Sequence, residues 1–266
     1  MTGNPAFVLS GGGNLGALQV GMLGALIESG VQPAMIVGTS VGAVNGTLLA
    51  SRPDAQGIGE IVAFWSSLRR RDLLGVSATT LIGGLLGLRG YLFDSTPMRK
   101  VLDSFLTFRR LEDAPLPLSV VATDVATREP VVLRSGDTLS ALMASCAIPG
   151  VLPPVAIDSR LLVDGAVSAD IPLREALALG AQELYVIPTA PLQVERLLRQ
   201  EPSISSAGGP DGSTVRIVTP PRVRVPLGDL RQSVRLIDLG YQQARAWIAH
   251  ERLAGEPGIS GYPDPF

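Results

Sequence analysis

Short apolar runs alternate with longer stretches of helical spacing through the opening fifty residues. Ala6 to Leu9 is a buried-strand run that ends at Ser10 and a glycine cluster, Gly11 to Gly13. From Leu15 to Ser29 the residues Leu15, Leu18, Met22, Leu23, Leu26 and Ile27 recur at helical spacing, and Gly30 suits a C-cap. Ala34 to Val37 predicts a second strand, running through Gly38-Thr39-Ser40 into a small-residue helix over Val41 to Ala50. Strand, turn and helix, twice over, is the pattern of a parallel α/β sheet.

Farther on, helices are predicted over Ile58 to Arg71, Ser95 to Phe105, Thr138 to Cys146 and Leu173 to Leu179, with Gly180 capping the last. Strands are predicted at Leu118 to Ala122, Pro130 to Leu133, Leu161 to Val163, Leu184 to Pro188 and Arg216 to Val218. Leu73 to Gly90 is rich in Leu and Gly without a clear period, and Gln200 to Ser213 reads as a mobile loop. A closing helix is expected from Asp229, on Leu230, Val234, Ile237, Leu239 and Trp247, before an irregular tail beyond Gly255. No repeat or domain boundary is evident. One domain is expected, with its motifs between residues 5 and 190 and residues 191–266 as a C-terminal extension packed on it.

Composition narrows the chemistry. With 266 residues, 46% of them hydrophobic and 17% charged, the chain is able to bury a substantial core. Its net charge is −2, with 22 basic against 24 acidic residues, so no electrostatic footprint for nucleic acid is expected. Cys146 is the sole cysteine and excludes intramolecular disulfides and cysteine-rich metal sites, and no metal or other cofactor is expected. His250 is the sole histidine, so a Ser-His-Asp triad must use it or do without. The uncharged stretch before Glu28 holds glycines and no basic segment, and the Leu73–Leu88 window is broken by Ser77, Thr79 and Thr80. A cytoplasmic chain is therefore expected, with peripheral contact at a membrane surface as a further expectation.

Three glycine-bearing motifs carry candidate chemistry. Gly11-Gly12-Gly13-Asn14-Leu15-Gly16 satisfies G-x-G-x-x-G between a strand and a helix, where bare N–H groups and a helix N-terminus suit an anion. The second strand lacks the acidic residue a dinucleotide would want, which leaves anion binding and a purely structural tight turn as alternatives. Gly38-Thr39-Ser40-Val41-Gly42 fits the G-x-S-x-G elbow, which places a serine hydroxyl above the sheet on a strained turn. A serine in that place also suits a helix N-cap. Asp164-Gly165-Ala166 follows a short strand and on its own is ordinary turn chemistry. If Ser40 is a nucleophile it needs a base, and Asp164 is the alternative to a surface-facing His250.

With Ala144-Ser145-Cys146-Ala147-Ile148-Pro149-Gly150-Val151-Leu152-Pro153-Pro154 between them, these blocks stand in an order that resembles the patatin-like phospholipase family. The likeness covers roughly residues 6 to 190. It implies an α/β fold of three layers, with a central, mostly parallel sheet flanked by helices. It implies a serine acyl hydrolase acting on acyl esters of lipids, with Ser40 as nucleophile, Asp164 as base, and the N–H groups of Gly11, Gly12 and Gly13 as an oxyanion hole. Gly16, Gly38, Gly42, Gly165 and Ala166 complete the motifs. Leu15 departs from the family pattern, which has a basic residue there. Arg89 and Arg99 are candidates to replace it, and its loss favours a neutral ester over a phospholipid. A catalytically silent lipid-binding or regulatory protein on the same fold is the alternative. Leu81 to Leu86 is a candidate apolar lid or an ordinary buried hairpin.

Overall fold

The computed structural model describes residues 5–69, 90–204, 209, 212–226 and 228–254. The expected lid at Leu81 to Leu86, Arg89 and the tail beyond Gly255 lie outside these residues, as does part of the expected loop between Gln200 and Ser213.

The first half-sheet follows the sequence closely. Strand β1 (Ala6–Leu9) leads through a single 3-10 turn into helix α1 (Gly16–Glu28), and β2 (Met35–Thr39) leads directly into α2 (Val41–Ser51). Helices α3 (Ala55–Ser67) and α4 (Thr96–Phe105) follow, α3 started by Asp54, whose carboxylate accepts the N–H groups of Gln56 and Gly57. Next come β3 (Leu118–Asp124), β4 (Pro130–Leu133), α5 (Thr138–Ser145), β5 (Val155–Ile157) and β6 (Arg160–Asp164). The chain then makes α6 (Leu173–Ala178), β7 (Glu183–Ile187), α7 (Pro191–Gln200), β8 (Thr214–Ile217) and the long α8 (Ser233–Ala254).

One mixed sheet holds all eight strands, hydrogen-bonded in the order β5-β6-β3-β2-β1-β7-β8, with β4 also paired to β3. The run β3-β2-β1-β7-β8 is parallel, while β4, β5 and β6 pair antiparallel. Period-two alternation decides which residues face which layer. Phe7, Leu9, Ile36 and Val120 join the cluster under α1, α2, α3 and α8, whereas Ala6, Val8, Val37 and Val121 join the one under α6 and α7. Helix α1 is apolar nearly all round because it is buried on both sides, with the sheet below it and α8 packed along it. Full burial of side chains such as Leu18, Met22 and Leu26 is worth about 1.5–3 kcal/mol each.

Two short elements escaped the sequence pattern. Strand β5 is three residues long and half-exposed, too short to show a period, and α7 is a surface helix whose polar face masks its apolar one. Among the described residues no helix is long and apolar enough to cross a membrane.

The registers of β3 explain why two distant motifs meet. Val121 pairs with Thr39 of β2 on one edge and Val132 of β4 on the other. One residue on, Ala122 keeps β4 on that second edge, through Val131, and takes Asp164 of β6 on the first. Strands β2 and β6 therefore occupy the same edge of β3 end to end, running toward each other. Their C-terminal residues, Thr39 and Asp164, lie opposite consecutive residues of β3.

Candidate active site

The gap between those two strand ends is where Ser40 sits. Its backbone has φ 53° and ψ −124°, a conformation that costs a non-glycine residue roughly 1–3 kcal/mol. The chain must turn at once from β2 into α2 there, and the approach is tight. A Cβ on Gly42 would lie 2.4 Å from the Leu9 carbonyl oxygen and 2.5 Å from that of Ser10, so only glycine fits. The strained residue is held from behind: Ser40 N–H donates to Ser145 Oγ at 2.8 Å, and Ser145 Oγ–H donates to the Val121 carbonyl at 2.6 Å. Ser145, from the Ala144–Pro154 block, thus ties the end of α5 to the elbow.

Ser40 occupies the N-cap position of α2, but its hydroxyl does not cap the helix. It donates to Asp164 Oδ2 at 2.8 Å. The other carboxylate oxygen accepts the Ala166 N–H at 2.9 Å, so the turn Asp164-Gly165-Ala166 fixes the carboxylate as it leaves β6. Both residues are nearly sealed, at 8% exposure for Ser40 and 4% for Asp164. Burial pushes the Asp164 carboxyl up to about 6, with the nearby charge of Asp170 adding to it, while the Ala166 N–H and Ser40 hydroxyl pull the other way. Cys146 lies close by, and burial followed by the Asp164 charge raises its thiol, which keeps it protonated.

The glycine turn stands over this pair. A Cβ on Gly11 would come within 3.5 Å of Ser40 Cβ and 3.2 Å of Ala166 Cβ. Gly12 has φ 147°, open to glycine alone, and Gly13 has φ 57°. Gly11 N–H is engaged, donating to the Asp170 carbonyl at 3.0 Å. The N–H groups of Gly12 and Gly13 form no hydrogen bond to any described residue. Asn14 is buried and ties the turn to the segment before α8: its Nδ2 donates to the carbonyls of Pro226 and Asp229, and its Oδ1 accepts the Gly228 N–H. Leu15 is half-buried against the main core, so no charge stands at its place in the turn.

The remaining motif residues serve packing. Gly16 opens α1 against Val41 and Trp65, Gly38 lies in β2 beneath the first turn of α2, and Gly165 passes under the Val121 carbonyl. Arg99 is exposed on α4. His250 is half-buried near the end of α8, and the partner of the Ser40 hydroxyl is Asp164.

The profile of the patatin-like phospholipase family matches residues 7–177. A patatin-like phospholipase domain-containing protein of Caenorhabditis elegans is 32% identical over 192 residues, 70% of this chain and 17% of that one. Patatin-like phospholipase domain-containing protein 7 of Rattus norvegicus is 30% identical over 70% of this chain and 14% of its own length. The chain thus spans under a fifth of these relatives. Among solved structures, VipD from Legionella pneumophila superposes with a TM-score of 0.53 at 14% identity, covering 94% of this chain and 67% of that one. Human GIVD cytosolic phospholipase A2 superposes equally well, at 0.53 and 13% identity, covering 94% and 59%. Both likenesses concern the fold. With the family profile across most of the sheet and its four motifs gathered at one end of it, the chain belongs to the patatin-like phospholipase family.

Proposed function

We propose that the protein is a serine acyl hydrolase that cleaves acyl esters of lipids through a Ser40–Asp164 dyad. The observation that carries this reading is the 2.8 Å hydrogen bond from Ser40 Oγ to Asp164 Oδ2, made by a serine on a strained strand-to-helix turn. Family membership supports lipid hydrolysis as the class of reaction.

Ser40 Oγ attacks the ester carbonyl carbon as its proton passes to Asp164 Oδ2. The carbonyl oxygen becomes an anion, and the unengaged N–H groups of Gly12 and Gly13 receive it. Such donors are typically worth about 3 kcal/mol each, because they are aimed before the charge develops. The N-terminus of α2, with roughly half a positive charge, favours the same anion. The tetrahedral adduct then collapses: the C–O bond to the alcohol breaks, Asp164 returns its proton to the leaving oxygen, and Ser40 remains acylated. Water then attacks the acyl carbon, giving up a proton to Asp164, and as the C–O bond to Ser40 breaks Asp164 returns that proton to Ser40 Oγ and the fatty acid is released. Burial suits Asp164 to this work, since a carboxylate near its ordinary value of about 4 is a weak base. Hydrogen-bond contact between base and nucleophile supplies the remaining advantage, proximity.

The test is hydrolysis of p-nitrophenyl butyrate and of a panel of neutral and anionic lipids by wild type and Ser40→Ala. Ser40→Ala is expected to lose hydrolysis at an unchanged melting temperature. Full activity in that variant excludes the nucleophile, and a wild type inactive on every ester leaves the silent lipid-binding alternative. With Leu15 in the glycine turn, neutral esters are expected to be the better substrates.

A further inference from the structure

The unengaged N–H of Gly12 belongs to the same peptide unit as the Gly11 carbonyl, and no peptide bond in the described chain is cis. In a trans peptide the C=O and N–H point in opposite directions, so whatever fixes one aims the other. The Gly11 carbonyl is surrounded by donors: Thr189 Oγ1 at 2.8 Å, Ser10 Oγ at 2.9 Å and Gln193 Nε2 at 3.0 Å. Thr189 follows β7 and Gln193 lies in the first turn of α7.

Gln193 is the centre of this arrangement, and its surroundings leave its amide a single orientation. Thr189 N–H and Ala190 N–H are obligate donors and meet its Oε1, at 2.8 and 3.1 Å. The Gly11 carbonyl and both carboxylate oxygens of Asp170 are obligate acceptors and meet its Nε2, each at 3.0 Å. Asp170 closes the loop, since its own carbonyl accepts the Gly11 N–H. Gly11 is thereby held at both its N–H and its C=O by residues from beyond the dyad motifs.

We infer that Gln193 is a positioning residue for the oxyanion hole: with Thr189 and Asp170 it clamps the Gly11 carbonyl and so keeps the Gly12 N–H turned outward for the developing anion. The inference rests on the dyad reading above and names what holds its electrostatic half in place. Free of the clamp, the Gly11–Gly12 peptide is flanked by two glycines and can rotate, burying the N–H and presenting a carbonyl in its place. That loss weakens the transition state while leaving the binding of the neutral ester as it was.

The experiment measures kcat and KM for p-nitrophenyl butyrate with Gln193→Leu and with the isosteric Thr189→Val, alongside a crystal structure of Gln193→Leu. Leu197→Ala, a buried apolar change one turn beyond Gln193 in α7, controls for stability. Gln193→Leu is expected to lower kcat by at least tenfold, and Thr189→Val by at least threefold, with KM within about twofold of wild type. Removing an oxyanion donor outright costs about 100–1,000-fold, and these variants weaken one without removing it. Leu197→Ala is expected to lower the melting temperature and keep kcat. In the crystal, the Gly11–Gly12 peptide of Gln193→Leu is expected to be rotated. Smaller losses, a KM that rises in step, equal loss in Leu197→Ala, or a peptide left as in wild type overturns the clamp. If Gln193→Leu does not fold, Thr189→Val decides on the same threshold. Should Ser40→Ala keep its activity, the dyad fails instead, and the crystal structure judges the clamp by itself.

Discussion

Two turns leave neighbouring parallel strands at the same end of the sheet, and they are built on opposite plans. The elbow after β2 draws its shape mainly from its own five residues, with Ser145 bracing Ser40 from behind. Gly38 and Gly42 give it room, the strain falls on Ser40, and the first residues of α2 pick up the chain at once. The glycine turn after β1 has little rigidity of its own. It is tied through the Asn14 side chain to the backbone of Pro226, Gly228 and Asp229, while the Asp170 carbonyl after β6 takes the Gly11 N–H and Thr189 and Gln193 around the start of α7 hold the Gly11 carbonyl. A nucleophile can be set by local strain, because one backbone conformation decides where one side chain goes. A pair of N–H donors must face inward against the chain's freedom to rotate at glycine, and that takes contacts from distant segments.

The largest expected effect separates the two plans by chemistry. Ser40→Ala and Asp164→Asn are each expected to reduce ester hydrolysis by at least about a thousandfold, whereas changes behind the glycine turn cost roughly three- to a hundredfold, as partial losses of one catalytic element. Equal losses from both regions in steady-state kinetics would erase the distinction.

Next in size is stability. Asp164 titrates near 6 in the folded protein against 3.8 as an ordinary side chain, so its ionised form is disfavoured by folding. The penalty is absent below about pH 4, grows between there and pH 6, and is complete above it, reaching about 3 kcal/mol for a shift of two units. Asp164→Asn keeps an acceptor for Ala166 N–H and removes the charge. It is expected to melt higher than wild type at pH 8 and nearly the same at pH 4, while remaining inactive. Thermal melts at the two pH values check this, and a lower melting temperature at pH 8 contradicts it.

A comparable loss is expected from Gly42→Ala, whose methyl would press on the carbonyls of Leu9 and Ser10. Overpacking of that kind costs about 1–3 kcal/mol, seen as a lower urea midpoint. The smallest effect belongs to Asn14→Ala, which leaves three backbone groups without their partners. A cost of about 1–3 kcal/mol is typical of such losses at a buried site, and water reaching the exposed Pro226 and the half-exposed Gly228 and Asp229 puts this one at the low end.

The same contrast explains what could be read from the sequence. The β1-to-α2 half of the sheet, the elbow and the place of Asp164 at a strand end all follow from local periodicity and from motifs of a few residues. That Asp164 meets Ser40 does not, because it depends on β2 and β6 sharing one edge of β3, a property of register. The supporting residues were harder still. Ser145 lies in the Ala144–Pro154 block but nothing there says what it holds, Thr189 and Asp170 carry no pattern of their own, and Gln193 sits in α7, a helix the apolar spacing did not reveal. One local signal was present: Pro191 as the first residue of that helix with Gln193 two places on is a helix-start signature. The expected donor at Gly11 shows the limit from the other side, since only the fold reveals that Asp170 has already taken its N–H.

The most direct test of the dyad is covalent labelling by a fluorophosphonate, with the adduct located by mass spectrometry and its rate followed against pH. The account predicts an adduct on Ser40, forming at a rate that rises with pH to a plateau through a midpoint near 6, the value at which Asp164 gives up its proton, and nearly absent in Asp164→Asn. An adduct on another residue, or a Ser40 rate that is the same in Asp164→Asn, would contradict it.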